Sequence, residues 1–186
     1  MTEEKYVSRG GLKLASVAEV LKLNFNGKSV LDVGSSTGGF TDFALQHGAA
    51  KVIAVDSGTN QLHPSLRADS RVELHEKTDI RRINLNEVPD IVVIDVSFVS
   101  LRQILPAIAD LSGPDTEIIA MVKPQFEAAS AQSNRGVIKN DTIRRQILKD
   151  FEKWARGRFV IVGKADSQIS GAKGNQERFY NLKITS

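Results

Sequence analysis

Short apolar runs and helix-period stripes take turns along almost the whole chain. Leu14, Val17, Ala18 and Leu21 fall at i, i+3, i+4 and i+7, which predicts a helix closed by Gly27. Ser29–Val33 and Lys51–Val55 predict strands, with a short helix over Phe40–His47 between them that ends at Gly48. Gly58–Asp69 reads as a loop with a short helix, and Arg71–His75 as a weak third strand. Ile91–Val96 is apolar but for Asp95, the pattern of a central parallel strand buried on both faces. Ser100 is placed to cap a helix bearing Leu101, Ile104, Leu105 and Ile108, with a kink expected at Pro106 and an end at Gly113-Pro114. Glu117–Val122 predicts the next strand. Residues 123–140 are polar and aperiodic, long enough for a lid or substrate loop. Asn140 or Asp141 then caps a helix carrying Ile143, Ile147, Leu148, Phe151 and Trp154 on one side. Arg158–Val162 and Phe179–Ile184 predict the two last strands.

This alternation predicts one α/β domain, a mostly parallel sheet with helices on both faces. Only Ala165–Arg178 separates the last two apolar runs, and it holds no helix-length pattern. A parallel crossover needs a dozen or more residues, usually helical, so the final pair is expected to be an antiparallel hairpin. A seven-stranded, mostly parallel sheet with an antiparallel strand near the C-terminus is the Rossmann-like architecture of S-adenosylmethionine-dependent methyltransferases.

At 186 residues the chain is long enough to bury a real core. It has no cysteine, which excludes disulfides, thiolate metal sites and cysteine nucleophiles; His47, His63 and His75 show no metal-ligand spacing. No stretch approaches the ~20 apolar residues of a membrane span, and the first residues show no signal-peptide core, so a soluble cytoplasmic protein without membrane contact is expected. The net charge of +3 says little, but residues 135 to 158 set eight basic residues against Asp141, Asp150 and Glu152. Such a segment is either a solvated helix face or one that contacts phosphates.

The run Val30-Leu31-Asp32-Val33-Gly34-Ser35-Ser36-Thr37-Gly38-Gly39-Phe40 describes a buried strand, a tight turn and a helix N-terminus, where α/β proteins hold nucleotide-like ligands. Its glycines fall as G-x-x-x-G-G, so Ser36 stands where a dinucleotide fold needs a second glycine to let backbone approach a pyrophosphate. A nucleoside ligand without a diphosphate fits better, and S-adenosylmethionine is the commonest of that kind. Asp56, 24 positions after Asp32 at the end of the second strand, is a candidate for the ribose hydroxyls. Asp79, after the third strand, is a candidate for the adenine amino group. The backbone around Ser35 to Gly39 and the side chain of Asp32 offer donors and an acceptor to the methionine carboxylate and ammonium; Asp32 could equally order the loop. Each of these aspartates can also do no more than cap a turn. No G-x-S-x-G elbow is present, which argues against hydrolase chemistry.

Two more strand ends carry charge, Asp95 in Ile91–Phe98 and Lys123 in Ile118–Pro124. In adjacent strands they face each other across the mouth of the site, as a plain ion pair or as a base with its partner. The charged form of a lysine beside a bound sulfonium is disfavoured. A neutral lysine can take the proton of a ribose hydroxyl, a poor nucleophile while protonated. Asp95-Val96-Ser97-Phe98 is also loosely like the D-P-P-Y pattern of amino-methylating enzymes, which pack a base on an aromatic ring, but it lacks both prolines.

Five segments, Tyr6–Leu14, Leu31–Asp42, Val93–Phe98, Val122–Glu127 and Gly174–Glu177, resemble in that order the TlyA-type haemolysin family, related to FtsJ-like ribosomal RNA 2′-O-methyltransferases. The resemblance spans nearly the whole chain. It implies an S-adenosylmethionine-dependent enzyme that methylates cytidine ribose hydroxyls, with ribosomal RNA or ribosomal subunits as partner. The related enzymes use a Lys-Asp-Lys-Glu tetrad, which by motif falls here on Lys13, Asp95, Lys123 and Glu177; that grouping comes from the resemblance alone. In it Lys123 is the base, Asp95 and Glu177 orient the lysines, and Lys13 holds the ribose or a neighbouring phosphate. Family members usually carry an S4-type RNA-binding module before the Tyr6–Leu14 segment. The expected organisation is therefore a methyltransferase domain over residues 1–186 with a short tail at 1–8 and no S4 module: either the sequence is a truncated version, or RNA capture falls to the basic helix and the loop from Gln125 to Asn140. The family's traditional name raises a membrane-active or non-catalytic alternative, for which the sequence offers no secretion signal, basic amphipathic segment or barrel-like alternation.

Overall fold

The computed structural model describes residues 5–128, 136–138, 140–171 and 173–185. Among these, the elements run α1 (Arg9–Ala18), β1 (Ser29–Val33), α2 (Gly39–Gln46), β2 (Lys51–Val55), α3 (Pro64–Arg67), β3 (Val72–His75), a 3₁₀ turn (Ile80–Arg82), β4 (Ile91–Ile94), α4 (Leu101–Leu111), β5 (Glu117–Val122), α5 (Pro124–Glu127), α6 (Asp141–Ala155), β6 (Phe159–Asp166) and β7 (Arg178–Ile184). The strands form one sheet in the order β3-β2-β1-β4-β5-β7-β6. Strands β1 to β5 pair in parallel, and β7 runs antiparallel to both β5 and β6. The expected hairpin is present, but its second strand takes the inner place. Phe179, Tyr180 and Leu182 of β7 are buried, whereas β6 exposes Val160 and Val162, so the strand that is apolar on both faces lies between two neighbours.

Strand alternation divides the core in two. Leu31, Val33, Ile53, Val92 and Ile94 pack with Leu105 of α4 and Phe151 of α6. On the other face, Val30, Val52, Val93 and Ile119 pack with Leu14 and Val17 of α1 and Phe43 of α2. Ser8, Ser100 and Asn140 cap α1, α4 and α6 with their side chains, Asn140 being the one of the two candidates that does so. Helix α4 continues through Pro106 to Leu111.

Three sequence expectations change here. Tyr6 to Ser8, expected at the end of a loose tail, belong to the fold: Tyr6 is buried against Gly11, and the Val7 N–H donates to Asp42 Oδ2 at 2.8 Å. The aperiodic stretch 123–140 contains α5; the rest of the expected lid, residues 129–135 and 139, lies outside the described residues, and with it Arg135 and Lys139 of the basic segment. Across α6 and the turn that follows it the charge is partly structural. Arg144 is buried on Asp166 at 2.6 Å and Arg158 pairs with Asp110, while Arg145, Lys149 and Lys153 are exposed.

Candidate active site

From β1 the chain moves outward to β2 and β3, then returns to add β4 on the other side of β1. That switch opens a crevice beyond the carboxyl ends of β1 and β4, and three cavities meet there. The first, about 500 Å³, is walled by Gly34, Asp56, Asp79 and Val96. The second, about 210 Å³, lies between α1 and the loop after β1, with Lys13, Asp32, Ser35, Gly39 and Phe40 on its walls. The third, about 470 Å³, is lined by Lys13, Phe98, Lys123, Asn175 and Glu177. Asp95 borders the first two and Lys13 the last two.

Left-handed residues set the path of the loop after β1, at Gly34 (φ +80°), Ser36 (φ +49°) and Gly38 (φ +101°). A Cβ on Gly34 would stand 2.7 Å from the Asp95 carbonyl oxygen, so loop backbone runs against the end of β4. Gly34→Ala is expected to displace that contact at a cost of about 1–3 kcal/mol. Calorimetry should then show S-adenosylmethionine affinity reduced about tenfold or more.

The turn at Ser36 aims its N–H at Asp56 Oδ2 (2.7 Å), and the Gly58 N–H donates to Asp56 Oδ1 (2.7 Å). Each oxygen of Asp56 keeps a further lone pair for the first cavity. Thr37 and Gly38 do not line these cavities. The Thr37 carbonyl accepts from the His63 N–H, and Gly38 packs against Leu66, so both tie the loop to α3. Asp79 lines the first cavity, but its carboxylate caps the 3₁₀ turn and takes the Arg81 guanidinium at 2.6 Å. That hydrogen bonding holds its pKa down at about 2.

Asp32 is fully buried. Its Oδ2 accepts the Thr41 hydroxyl at 2.6 Å, while Oδ1 is buried without a partner, as is the Ser35 hydroxyl oxygen. Burial pushes the Asp32 pKa up to about 7 against the Thr41 hydrogen bond, with Asp95 and Asp56 adding to the rise. A carboxylate with an open oxygen in a small polar cavity is built to receive a cation. Beside it, α2 starts at Gly39 after its N-cap Gly38, with no side-chain cap on its first turn, and the positive end of its dipole suits an anion. The zwitterionic amino-acid end of S-adenosylmethionine carries both charges, and the larger first cavity joins Asp56 to the apolar Val55, Ile80 and Val96 as an adenosine requires. These residues fit that ligand.

Asp95 directly follows β4 and Lys123 directly follows β5, and the parallel register Ile94↔Ala120 sets the two ends side by side. Lys123 Nζ lies 2.6 Å from Asp95 Oδ1 and 2.8 Å from the Ser97 hydroxyl oxygen. Glu177 directly precedes β7, and the register Val122↔Arg178 brings it beside the end of β5. Its Oε2 lies 2.6 Å from Nζ of Lys13, which α1 buries over the same region. Neighbouring strands and one helix thus gather all four side chains, as two ion pairs around shared cavities.

The sequence assigned no role to Thr41, Ser97 or Phe126, and raised Phe98 only through the loose likeness to a D-P-P-Y pattern. Phe98 is 92% exposed, left-handed at φ +65°, and 5.3 Å ring to ring from Phe126. A non-glycine aromatic in that backbone region is an outlier of the kind found at functional sites. Both rings fall inside the Val93–Phe98 and Val122–Glu127 motifs, which was the available signal. Among the described residues no group of acidic or histidine side chains could hold a metal ion.

The FtsJ-like methyltransferase profile matches residues 6–183. The chain is 40% identical over 184 residues to a candidate rRNA methyltransferase, YqxC, of Bacillus subtilis, covering 96% of this chain and 66% of that protein. It is also 40% identical over 183 residues to the 23S rRNA (cytidine-2′-O)-methyltransferase TlyA of Campylobacter jejuni, covering 97% of this chain and 72% of that one. The solved structure of a candidate hemolysin from Streptococcus thermophilus superposes with a TM-score of 0.94 at 40% identity, covering 100% of this chain and 70% of that chain. The chain therefore spans about two thirds of the length of the relatives it matches.

Proposed function

Because this chain belongs to the FtsJ-like methyltransferase family, we propose that it transfers the methyl group of S-adenosylmethionine to the 2′-hydroxyl of a cytidine in ribosomal RNA, in the cytoplasm. The carrying observation is the pair of ion pairs, Lys123–Asp95 and Lys13–Glu177, set where a cofactor-shaped crevice meets a third cavity. The activity named for the Campylobacter relative supports the same acceptor.

When bound, S-adenosylmethionine supplies a methyl group made electrophilic by its sulfonium. Asp32 and the N-terminus of α2 hold its amino-acid end, and Asp56 its ribose. The third cavity receives the acceptor nucleotide, with the exposed Phe98 ring offering a face to its base. Lys123 takes the proton of the acceptor hydroxyl at Nζ; Asp95 and Ser97 occupy two of the three positions around that nitrogen and aim the third. Lys13, oriented by Glu177, supplies a fixed cation for a ribose oxygen or phosphate. The exposed Arg145, Lys149 and Lys153 of α6 offer phosphate contacts along the surface. Among the described residues no helix is long and apolar enough to cross a membrane.

Calorimetry with S-adenosylmethionine and its demethylated product tests cofactor binding. Tritiated-methyl transfer to ribosomal RNA from a strain lacking the gene tests the acceptor. The label is expected in alkali-resistant dinucleotides, because methylation removes the hydroxyl through which alkali cleaves the neighbouring phosphodiester. Label in alkali-released mononucleotides would instead place the methyl group on a base, and a chain that binds no cofactor would defeat the proposal.

A further inference from the structure

Glu127 closes the Val122–Glu127 motif, and the chemistry above makes no use of it. Its side chain is 1% exposed. Oε1 accepts the Leu101 N–H at 2.6 Å and Oε2 accepts the Ser100 hydroxyl at 2.7 Å, while the Arg102 Nε stands 3.6 Å away. A carboxylate from α5 thus completes the N-terminal cap of α4, where Ser100 already accepts the Arg102 N–H.

That cap lies just beyond Phe98. The segments following β4 and β5 are joined rung by rung: Lys123 to Asp95 and Ser97, the Phe126 ring to the Phe98 ring, and Glu127 to Ser100 and Leu101. Between the rung at Ser97 and the rung at Ser100 only Phe98 and Val99 remain. An exposed phenylalanine in a left-handed conformation persists only where its surroundings over-determine it. Lys123 supplies the restraint on one side and Glu127 the restraint on the other. Removing Glu127 frees the start of α4 and lets Phe98 relax on the rim between the first and third cavities, while Lys123, Asp95, Asp32 and Asp56 keep their own partners.

We propose that Glu127 is a positioning residue: acting through the N-terminus of α4, it fixes Phe98 as the platform on which the acceptor nucleotide stacks. This rests on the ribose-methylating reading above. It predicts a defect in RNA recognition, separate from cofactor binding and from proton removal.

The test is steady-state methyl transfer by the full chain to ribosomal RNA from a strain lacking the gene, for Phe98→Ala, Glu127→Ala, Glu127→Gln and the Phe98→Ala/Glu127→Ala double variant. Loss of a stacked base should raise the KM for RNA about 5- to 150-fold in Phe98→Ala. Glu127→Ala should raise it about 3- to 30-fold, with kcat and cofactor affinity within about twofold of the parent. Glu127→Gln keeps one acceptor oxygen and should fall between Glu127→Ala and the parent. The double variant should match Phe98→Ala alone, since Glu127 acts through that ring. Effects that multiply in the double variant, an unchanged KM in Glu127→Ala, or an equal loss of cofactor affinity would overturn the inference. Should Glu127→Ala not fold, Glu127→Gln with Phe98→Ala completes the same cycle. A parent chain that labels no ribose defeats the underlying reading as well, whereas a methylating parent with multiplying effects defeats the role of Glu127 alone.

Discussion

Lys123→Ala is expected to slow methyl transfer about 10³-fold or more while leaving S-adenosylmethionine affinity within about threefold. The separation follows from where the side chain stands. Lys123 lines the third cavity and is absent from the walls of the first two, the cavities proposed for the cofactor. Its amine is tied to Asp95 at 2.6 Å and to Ser97 at 2.8 Å, a fixed geometry for a proton acceptor rather than a mobile surface charge. A positioned base accounts for about 10²–10⁴ in rate, and losing the nitrogen that aligns the hydroxyl adds to that. Lys123→Arg separates the two roles a lysine can play. Arginine keeps the positive charge and the partners but does not give up its proton. A loss as deep as in the alanine variant is expected if Nζ removes the hydroxyl proton; activity within about tenfold of the parent would show that only a cation is needed there. Single-turnover rates with saturating cofactor give the comparison, and Asp95→Asn should lie between the parent and Lys123→Ala, because it loosens the amine without removing it.

Much of this site was legible before any coordinates, for reasons that differ from residue to residue. Asp32, Asp56, Asp95 and Lys123 were found because each interrupts or ends an apolar run, and a charge in that place must lie at the mouth of a parallel sheet. Ser36 was found because a serine replaced an expected glycine, and its left-handed backbone shows why that place is special. Lys13 and Glu177 carry no such signal. Lys13 lies on a helix like any other lysine, and Glu177 precedes a strand whose insertion between β5 and β6 depends on the relative burial of β6 and β7. Only motif resemblance joined them to the other two. For Thr37, Gly38 and Asp79 loop composition pointed to a ligand, and the structure gives each a structural partner as well: Thr37 and Gly38 hold the loop to α3, and Asp79, on the wall of the first cavity, pairs with Arg81. The full exposure of Phe98 and the cap that Glu127 gives α4 escaped because exposure of an aromatic ring and capping of one element by another are tertiary facts with no local period.

Asp32→Asn is expected to weaken S-adenosylmethionine binding about 100-fold or more and to remove most of its pH dependence. Free Asp32 has a pKa of about 7, raised first by burial and further by Asp95 and Asp56. An ammonium at its open Oδ1 favours the charged form, so the pKa falls on binding and a proton is released. The sign is fixed by that direction: affinity rises with pH up to about 7, by at most tenfold per unit, and levels off above it. It declines again as the cofactor's own α-amino group, ordinarily near about 8, loses its proton. Calorimetry at pH 7 in two buffers of different ionisation enthalpy should show about half a proton released by the parent and almost none by Asp32→Asn. Stability of the free protein moves the other way. A carboxyl whose folded pKa lies above its unfolded value of 3.8 contributes stability that is complete below 3.8 and lost as pH rises through about 7. The asparagine variant lacks that loss, so at pH 8 the cofactor-free variant should melt no lower than the parent, and at pH 5 the advantage should shrink or reverse. A variant that binds cofactor as the parent does, with the same pH slope, would remove Asp32 from the amino-acid pocket. One that binds weakly because it melts early at pH 8 would show the residue to be structural. The combination expected here, weaker binding in a free protein at least as stable, belongs to a buried charge kept for its ligand at a cost to the fold.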